Sequence, residues 1–196
     1  MPAGAAGAAG RDPLASGEAM TVDASSPATS TELTIREAVV ADAAGIAAVY
    51  NQGIAERQAT FETRPRSAAD VACWLERDVV VVVAERGGHV TGFARVSPYS
   101  DRCVYAGVGE HGVYVDRAER GQGTGRALLE ALAAAAEARG LYKLTSRVIT
   151  TNAPSLALHR AAGFDVVGIQ RRHGRLDGQW RDVALVERLI GDAAVD

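Results

Sequence analysis

Five consecutive valines, Val79 to Val83, narrow most sharply what this chain can fold into. A β-branched run with no polar alternation predicts a strand buried on both faces. Such a strand needs cover on both sides, which predicts an α/β sandwich. Gly87-Gly88 turns the run into a second strand over Val90 to Tyr99, making a hairpin. The 47% hydrophobic content suffices for a packed core, but with aromatics at 5% that core must be rich in small residues.

The flanking sequence supplies the other layers. Leu33, Ile35 and Ala38 predict a short strand; Asp42 caps a helix over Ala43 to Glu56 with Ile46, Val49, Tyr50 and Ile54 at helical spacing. Ser67 caps a second helix through Val71, Trp74 and Leu75. A long strand is expected from Val104 to Val115, where Gly107, Gly109 and Gly112 suggest a bulge or a close backbone approach. A helix follows from Thr124 to Arg139, stopped by Gly140, then a strand over Leu144 to Ile149. Asn152 starts another helix, ended by Gly163. Strands over Phe164 to Ile169 and Val183 to Leu189, joined by a polar hairpin around Leu176-Asp177-Gly178, complete the chain. The order β-α-α-β-β-β-α-β-α-β-β gives a mixed central sheet of about seven strands flanked by about four helices.

One domain over residues 32–191 is expected, with a disordered Ala/Gly/Ser-rich tail at 1–31 and a short tail at 192–196. Met1 and Met20 are both candidate starts. No basic start followed by a continuous apolar stretch marks a leader, and no run of about 18 apolar residues marks a membrane span. A formal net charge of −3 argues against a surface that wraps nucleic acid. Cys73 and Cys103 have no metal-ligand spacing and read as thiols in a reducing compartment, so a cytoplasmic protein with no metal is expected.

The strongest chemical signal is Arg120-Gly121-Gln122-Gly123-Thr124-Gly125-Arg126, between a strand and a helix. Free N–H groups and the helix dipole converge there, and glycines let phosphate oxygens approach the main chain. Arg120 and Arg126 add charge-assisted donors. Spacing excludes two phosphate motifs: Arg126 stands where a dinucleotide fingerprint wants glycine, and no Gly-Lys-Ser/Thr is present.

Arg120-x-x-Gly123-x-Gly125 resembles the pyrophosphate loop of the GCN5-related N-acetyltransferases (GNAT), and the element order resembles their fold. Asn152 to Phe164, through Ser155, His159 and Gly163, is similar to the Asn-to-Gly-Phe helix of that family. The segments Tyr50 to Ile54, Thr60 to Thr63 and Glu110-His111-Gly112-Val113-Tyr114-Val115 resemble its phosphinothricin-type branch, with Gly112 where that branch usually has serine. The resemblance implies acetyl-CoA as cosubstrate, a homodimer, and acetylation of the α-amine of phosphinothricin, methionine sulfoximine or arsinothricin. Other amines, such as protein N-termini or polyamines, and a CoA-binding sensor without turnover, are the alternatives.

The resemblance also assigns residues. Backbone groups of Val113, Tyr114 and Val115 would meet the pantetheine arm and the thioester carbonyl, with Arg120, Gly121, Gln122, Gly123, Thr124, Gly125 and Arg126 at the pyrophosphate. Asn152 and Ser155 would add contacts to the same cofactor. Glu110 is the general-base candidate, acting through a water, or else a salt-bridge partner. Strand alternation turns its neighbour His111 to the opposite face. His159, two turns after Asn152, would protonate the departing thiolate, bond to CoA or serve as a structural histidine. Phe61 and Glu62 would line the substrate pocket, and Arg102 would bind an anionic substrate group or remain a solvated loop charge. Transfer is expected to be direct, with neither cysteine activated by a neighbouring base.

Overall fold

The computed structural model describes residues 32–195; the expected tail at 1–31 and Asp196 lie outside that range. Seven strands are present: β1 (Thr34–Glu37), β2 (Val80–Arg86), β3 (His89–Pro98), β4 (Val108–Val115), β5 (Lys143–Ile149), β6 (Asp165–Leu176) and β7 (Gln179–Leu189). The α-helices are α1 (Ala43–Glu56), α2 (Ala68–Arg77), α3 (Thr124–Glu137) and α4 (Ala153–Ala161). The strands form one sheet in the order β1-β2-β3-β4-β5-β7-β6. All pairings are antiparallel except β4 with β5.

The valine run does what its pattern requires. Val80, Val82 and Ala84 pack with Leu128, Leu129 and Leu132 of α3 on one side of the sheet. Val81 and Val83 pack on the other with Ile46, Val49 and Tyr50 of α1, Val71 of α2 and Phe93. Burying each valine stabilises the fold by roughly 1.5–3 kcal/mol, so neither helical layer can be dispensed with.

Local signals set the ends of the helices. Ser67 caps α2 in a reciprocal pair: its Oγ accepts the Asp70 N–H, and Asp70 accepts the Ser67 N–H at 2.8 Å. Asp42 precedes α1, but its carboxylate is taken by Arg36 at 2.7 Å and by the Val39 N–H at 2.8 Å. It therefore joins β1 to the helix start.

Three expected boundaries are corrected. β4 starts at Val108 because Cys103–Tyr105 wind into a 3-10 turn closed by the Ala106 N–H on the Cys103 carbonyl. β6 and β7 continue to a two-residue Asp177-Gly178 turn with φ of 49° and 76°. Most of β6 is exposed, so no alternation marked its outer half. A 3-10 turn at Gly191–Ala194 spans the junction between the expected domain and its short C-terminal tail. No described helix is long and apolar enough to cross a membrane.

Candidate active site

β4 pairs with β3 without interruption from Gly92↔Val115 to Pro98↔Gly109. Its parallel pairing with β5 lasts only from Val108↔Lys143 to Glu110↔Thr145. Beyond that point the two strands part, and the edge of β4 from His111 to Val115 that faces β5 has no strand partner. The sequence suggested that a bulge would free this backbone. The structure shows divergence of two neighbouring strands instead. Gly107 and Gly109 have a packing role, because a Cβ at these positions would run into Tyr142, or into Val96 and Leu141.

The opening is a cleft of about 800 Å³ lined by both strands, by α4, by the loop after α1 and by the glycine-rich turn. Val113 and Val115 turn their side chains into the core beneath α3. The Tyr114 ring packs half-buried on the other face, 4.7 Å from Tyr50 and 5.1 Å from Phe93 between ring centres. Their side chains are therefore committed to packing, and what this strand offers a ligand is main chain.

At the Val115 end, Asp116 caps a 3-10 turn by accepting the Ala118 N–H at 2.8 Å. The chain then reverses through Gly121 and Gly123, with φ of 78° and 84°, into the start of α3. No atom lies within 4 Å of where a Cβ would stand at either glycine, so positive φ rather than crowding calls for glycine. No side chain caps α3, so its first N–H groups remain available for an anion. Arg120, Gly121, Gly123, Gly125 and Arg126 line the cleft. Gln122 and Thr124 lie outside the lining: Gln122 donates to the Ala118 carbonyl at 3.0 Å, and Thr124 is buried. Arg120 donates to the Val115 carbonyl at 3.2 Å and pairs with Glu56 at 2.9 Å; Arg126 pairs with Glu130.

On the α4 side, the Asn152 Oδ1 accepts the Ser155 N–H at 3.2 Å, while its Nδ2 donates to the Gln58 carbonyl. Asn152 thus caps α4 and ties it to the loop after α1. His159 is buried, and its Nδ1 lies 2.7 Å from the Ser155 carbonyl. A carbonyl only accepts, so Nδ1 carries the proton and Nε2 is left as an acceptor. That Nε2 is 3.1 Å from Nε2 of His111, which therefore donates to it. Both rings pack against Phe164. Burial, reinforced by His159, pushes the His111 imidazole down to about 3. Burial lowers His159 as well, against the pull of the Ser155 carbonyl. Both rings are thus neutral at pH 7. With both His159 nitrogens engaged, the geometry favours the structural reading of this residue over proton donation. Sequence reasoning put His111 on the face opposite Glu110 but missed that α4 places His159 on that same side.

Glu110 points to the α1 face, where its Oε1 accepts from Nη1 of Arg147 at 2.5 Å. Sequence reasoning did not single out Arg147. Only its alternation two residues beyond Thr145 on β5 could have indicated it. Phe61 and Glu62 also line this end, with Glu62 paired to Arg66 at 2.5 Å. The β6–β7 hairpin reaches over to bring His173 into the lining, and Gly174 sits against the Phe61 ring. Arg102 is outside the lining. It is exposed before the 3-10 turn, with its guanidinium 5.5 Å from the centre of the Tyr105 ring. Cys73 and Cys103 are exposed free thiols outside the cleft. Among the described residues no cluster of His, Cys, Asp and Glu is arranged to hold a metal.

Residues 49–164 match the Acetyltransferase (GNAT) family. The chain is 32% identical over 158 residues to the L-methionine sulfoximine/L-methionine sulfone acetyltransferase of Pseudomonas paraeruginosa, spanning 78% of this chain and 92% of that protein. It is 32% identical over 157 residues to the phosphinothricin N-acetyltransferase of Streptomyces viridochromogenes, across 79% and 86% of the two chains. Among solved structures, a GNAT-superfamily phosphinothricin acetyltransferase from Sinorhizobium meliloti in complex with AcCoA is similar with a TM-score of 0.77 at 31% identity. The similarity covers 84% of this chain and 91% of that one. The parted strands, the glycine turn and the capped α4 thus sit within a matched segment that takes in more than half the sequence, and the chain belongs to the acetyltransferase (GNAT) family.

Proposed function

We propose that this protein transfers the acetyl group of acetyl-CoA to the α-amine of a glutamate-like toxic amino acid, in the class of methionine sulfoximine, phosphinothricin and arsinothricin. One observation carries the reading. The parted β4 and β5 strands present bare main chain, with the glycine turn and the uncapped start of α3 at one end and a carboxylate, Glu110, at the other. The names of the Pseudomonas and Streptomyces relatives point to the same substrate class.

The donor set suits acetyl-CoA. Gly121, Gly123, Gly125, Arg120 and Arg126 would hold its phosphates. The free edge of Val113 to Val115 would pair with the pantetheine amides and direct an N–H at the thioester oxygen, and Asn152 and Ser155 border the same arm. When bound, acetyl-CoA supplies the acyl group and a thiolate leaving group. Glu110 takes the proton of the substrate ammonium, directly or through a water, which frees the nitrogen lone pair for attack. The neutral His111–His159 pair holds α4 against β4 and shapes the wall of the cleft. Phe61 and Glu62 border the bound amino acid, while Arg102 enters this reading only as a charge on an adjoining loop. With neither cysteine in the cleft, transfer is direct. The protein acts in the cytoplasm and confers resistance.

The active form is a homodimer. β6 is an edge strand with Val166, Val167 and Ile169 exposed, and Trp180 of β7 is exposed nearer the hairpin turn, opposite Arg175. An uncovered apolar edge of this kind suits pairing with a second copy. Val167→Lys should shift the molecular mass measured by light scattering to that of a monomer. A wild type already monomeric at micromolar concentration would refute the dimer.

Acetyl-CoA incubated with each of the three amino acids, while free thiol is followed, tests the activity. Thiol release that saturates with an amino acid supports the reading. Release only with a polyamine or a peptide N-terminus would redirect it to another amine. Acetyl-CoA binding with no release on any amine would make the protein a sensor.

A further inference from the structure

Arg147 stands apart from the parts so far assigned. Of the three arginines that line the cleft, Arg120 and Arg126 flank the phosphate turn, and Arg147 alone lies on the floor beside Glu110. It projects from β5 two residues beyond Thr145, the partner of Glu110, and so shares a face with that carboxylate. One Nη1 donor bonds Glu110, while Nε is buried and has no partner. A guanidinium carries five N–H donors in a fixed fork suited to a carboxylate. This one keeps most of them unused, in a partly exposed position open to the cleft. Nε is covered, so the donors that a ligand in the cleft can meet are the Nη groups not bonded to Glu110.

We propose that Arg147 and Glu110 together form a receptor for the α-amino acid zwitterion, with Arg147 binding the α-carboxylate while Glu110 receives the α-ammonium. This deepens the substrate reading above and rests on it. An α-amino acid carries its two opposite charges on one carbon, and the Glu110–Arg147 pair presents the complementary charges side by side. Substrate entry exchanges one protein ion pair for two protein–substrate pairs, so little charge is left uncompensated. It also leaves the amine on the β4 side, next to the free backbone edge where the acyl group is expected. Arg147 thereby becomes a specificity residue for α-carboxylates. This role is distinct from recognition of the phosphinate, arsinate or sulfoximine at the far end of the substrate.

The test compares methionine sulfone with methionine sulfone carboxamide, in which the α-carboxylate is neutral, on wild type, Arg147→Met and Arg147→Lys. Wild type should prefer the acid by about 10- to 100-fold in kcat/KM, since charge-assisted hydrogen bonds are lost with the amide. In Arg147→Met the preference should collapse through a raised KM for the acid, with acetyl-CoA affinity by calorimetry unchanged. Arg147→Lys should fall between the two, because an ammonium keeps the charge without the fork. Arg147→Met that keeps the preference overturns the inference, as does wild type that acetylates acid and amide alike, an outcome that needs no folded variant. Wild type that binds acetyl-CoA but acetylates no amino acid defeats the substrate reading itself.

Discussion

The buried His111–His159 pair makes stability depend on pH in a way that can be calculated. In the unfolded chain an imidazole titrates near 6.5, whereas His111 in the fold takes a proton only near 3, because burial and the neighbouring His159 disfavour the cation. Acid therefore favours the unfolded state. The His111 contribution to stability is complete above about pH 6.5, declines as pH falls, and is exhausted near its folded value. Between pH 8 and pH 5 the loss from His111 alone is about 2 kcal/mol. His159 is lowered too and adds in the same direction. Asp42, held low by its bond to Arg36, does not enter the window, and Asp78, raised by burial, acts with the opposite sign but is common to wild type and variant, so it cancels in their comparison. The assay is urea unfolding at pH 8, 6.5 and 5 on wild type and His111→Gln. Glutamine retains an N–H donor toward His159 but does not titrate. The variant's fall in stability over the window should be smaller by about 2 kcal/mol. Equal pH dependence in the two proteins, or a wild type equally stable at pH 8 and pH 5, would refute the assignment of a buried neutral pair.

Three further outcomes follow from the site. Glu110→Gln should lower kcat by about 10²- to 10⁴-fold and flatten its rise with pH, as expected on removing a general base; an unchanged profile removes Glu110 from that role. Gly123→Ala should cost about 1–2 kcal/mol in thermal or urea unfolding, because alanine resists the φ of 84°, and should weaken acetyl-CoA binding measured by calorimetry. Unaltered stability would mean that the turn relaxes to negative φ. Cys103→Ala should leave turnover intact, since the thiol is exposed and outside the cleft; loss of chemistry with binding retained would point to a covalent intermediate.

Where local chemistry alone decides a feature, the sequence was a sufficient guide. The five valines demanded two covering layers, and α1, α2 and α3 provide them. The cap at Ser67 and the glycines at 121 and 123 depend on neighbouring atoms and backbone angles, and so were readable from the residues themselves. The resemblance of the glycine turn and the Asn152 helix pointed to the right family. Length and register in β6 and β7 were less legible, because an exposed edge carries no hydrophobic alternation to read.

What the tertiary structure decided were encounters between elements distant in the chain. Strand parity alone could orient Glu110 and His111 to opposite faces. It could not show that β5 would carry Arg147 up to Glu110, or that α4 would deliver His159 to His111, pairs separated by 37 and 48 residues. Nor could it show that Arg102 would lie outside the cleft, or that the free edge of β4 arises because β5 turns away after Glu110. Residue type and spacing fix local conformation, since that energy is set within a few residues. Which charges meet and where two strands part depend on how the whole sheet twists and packs.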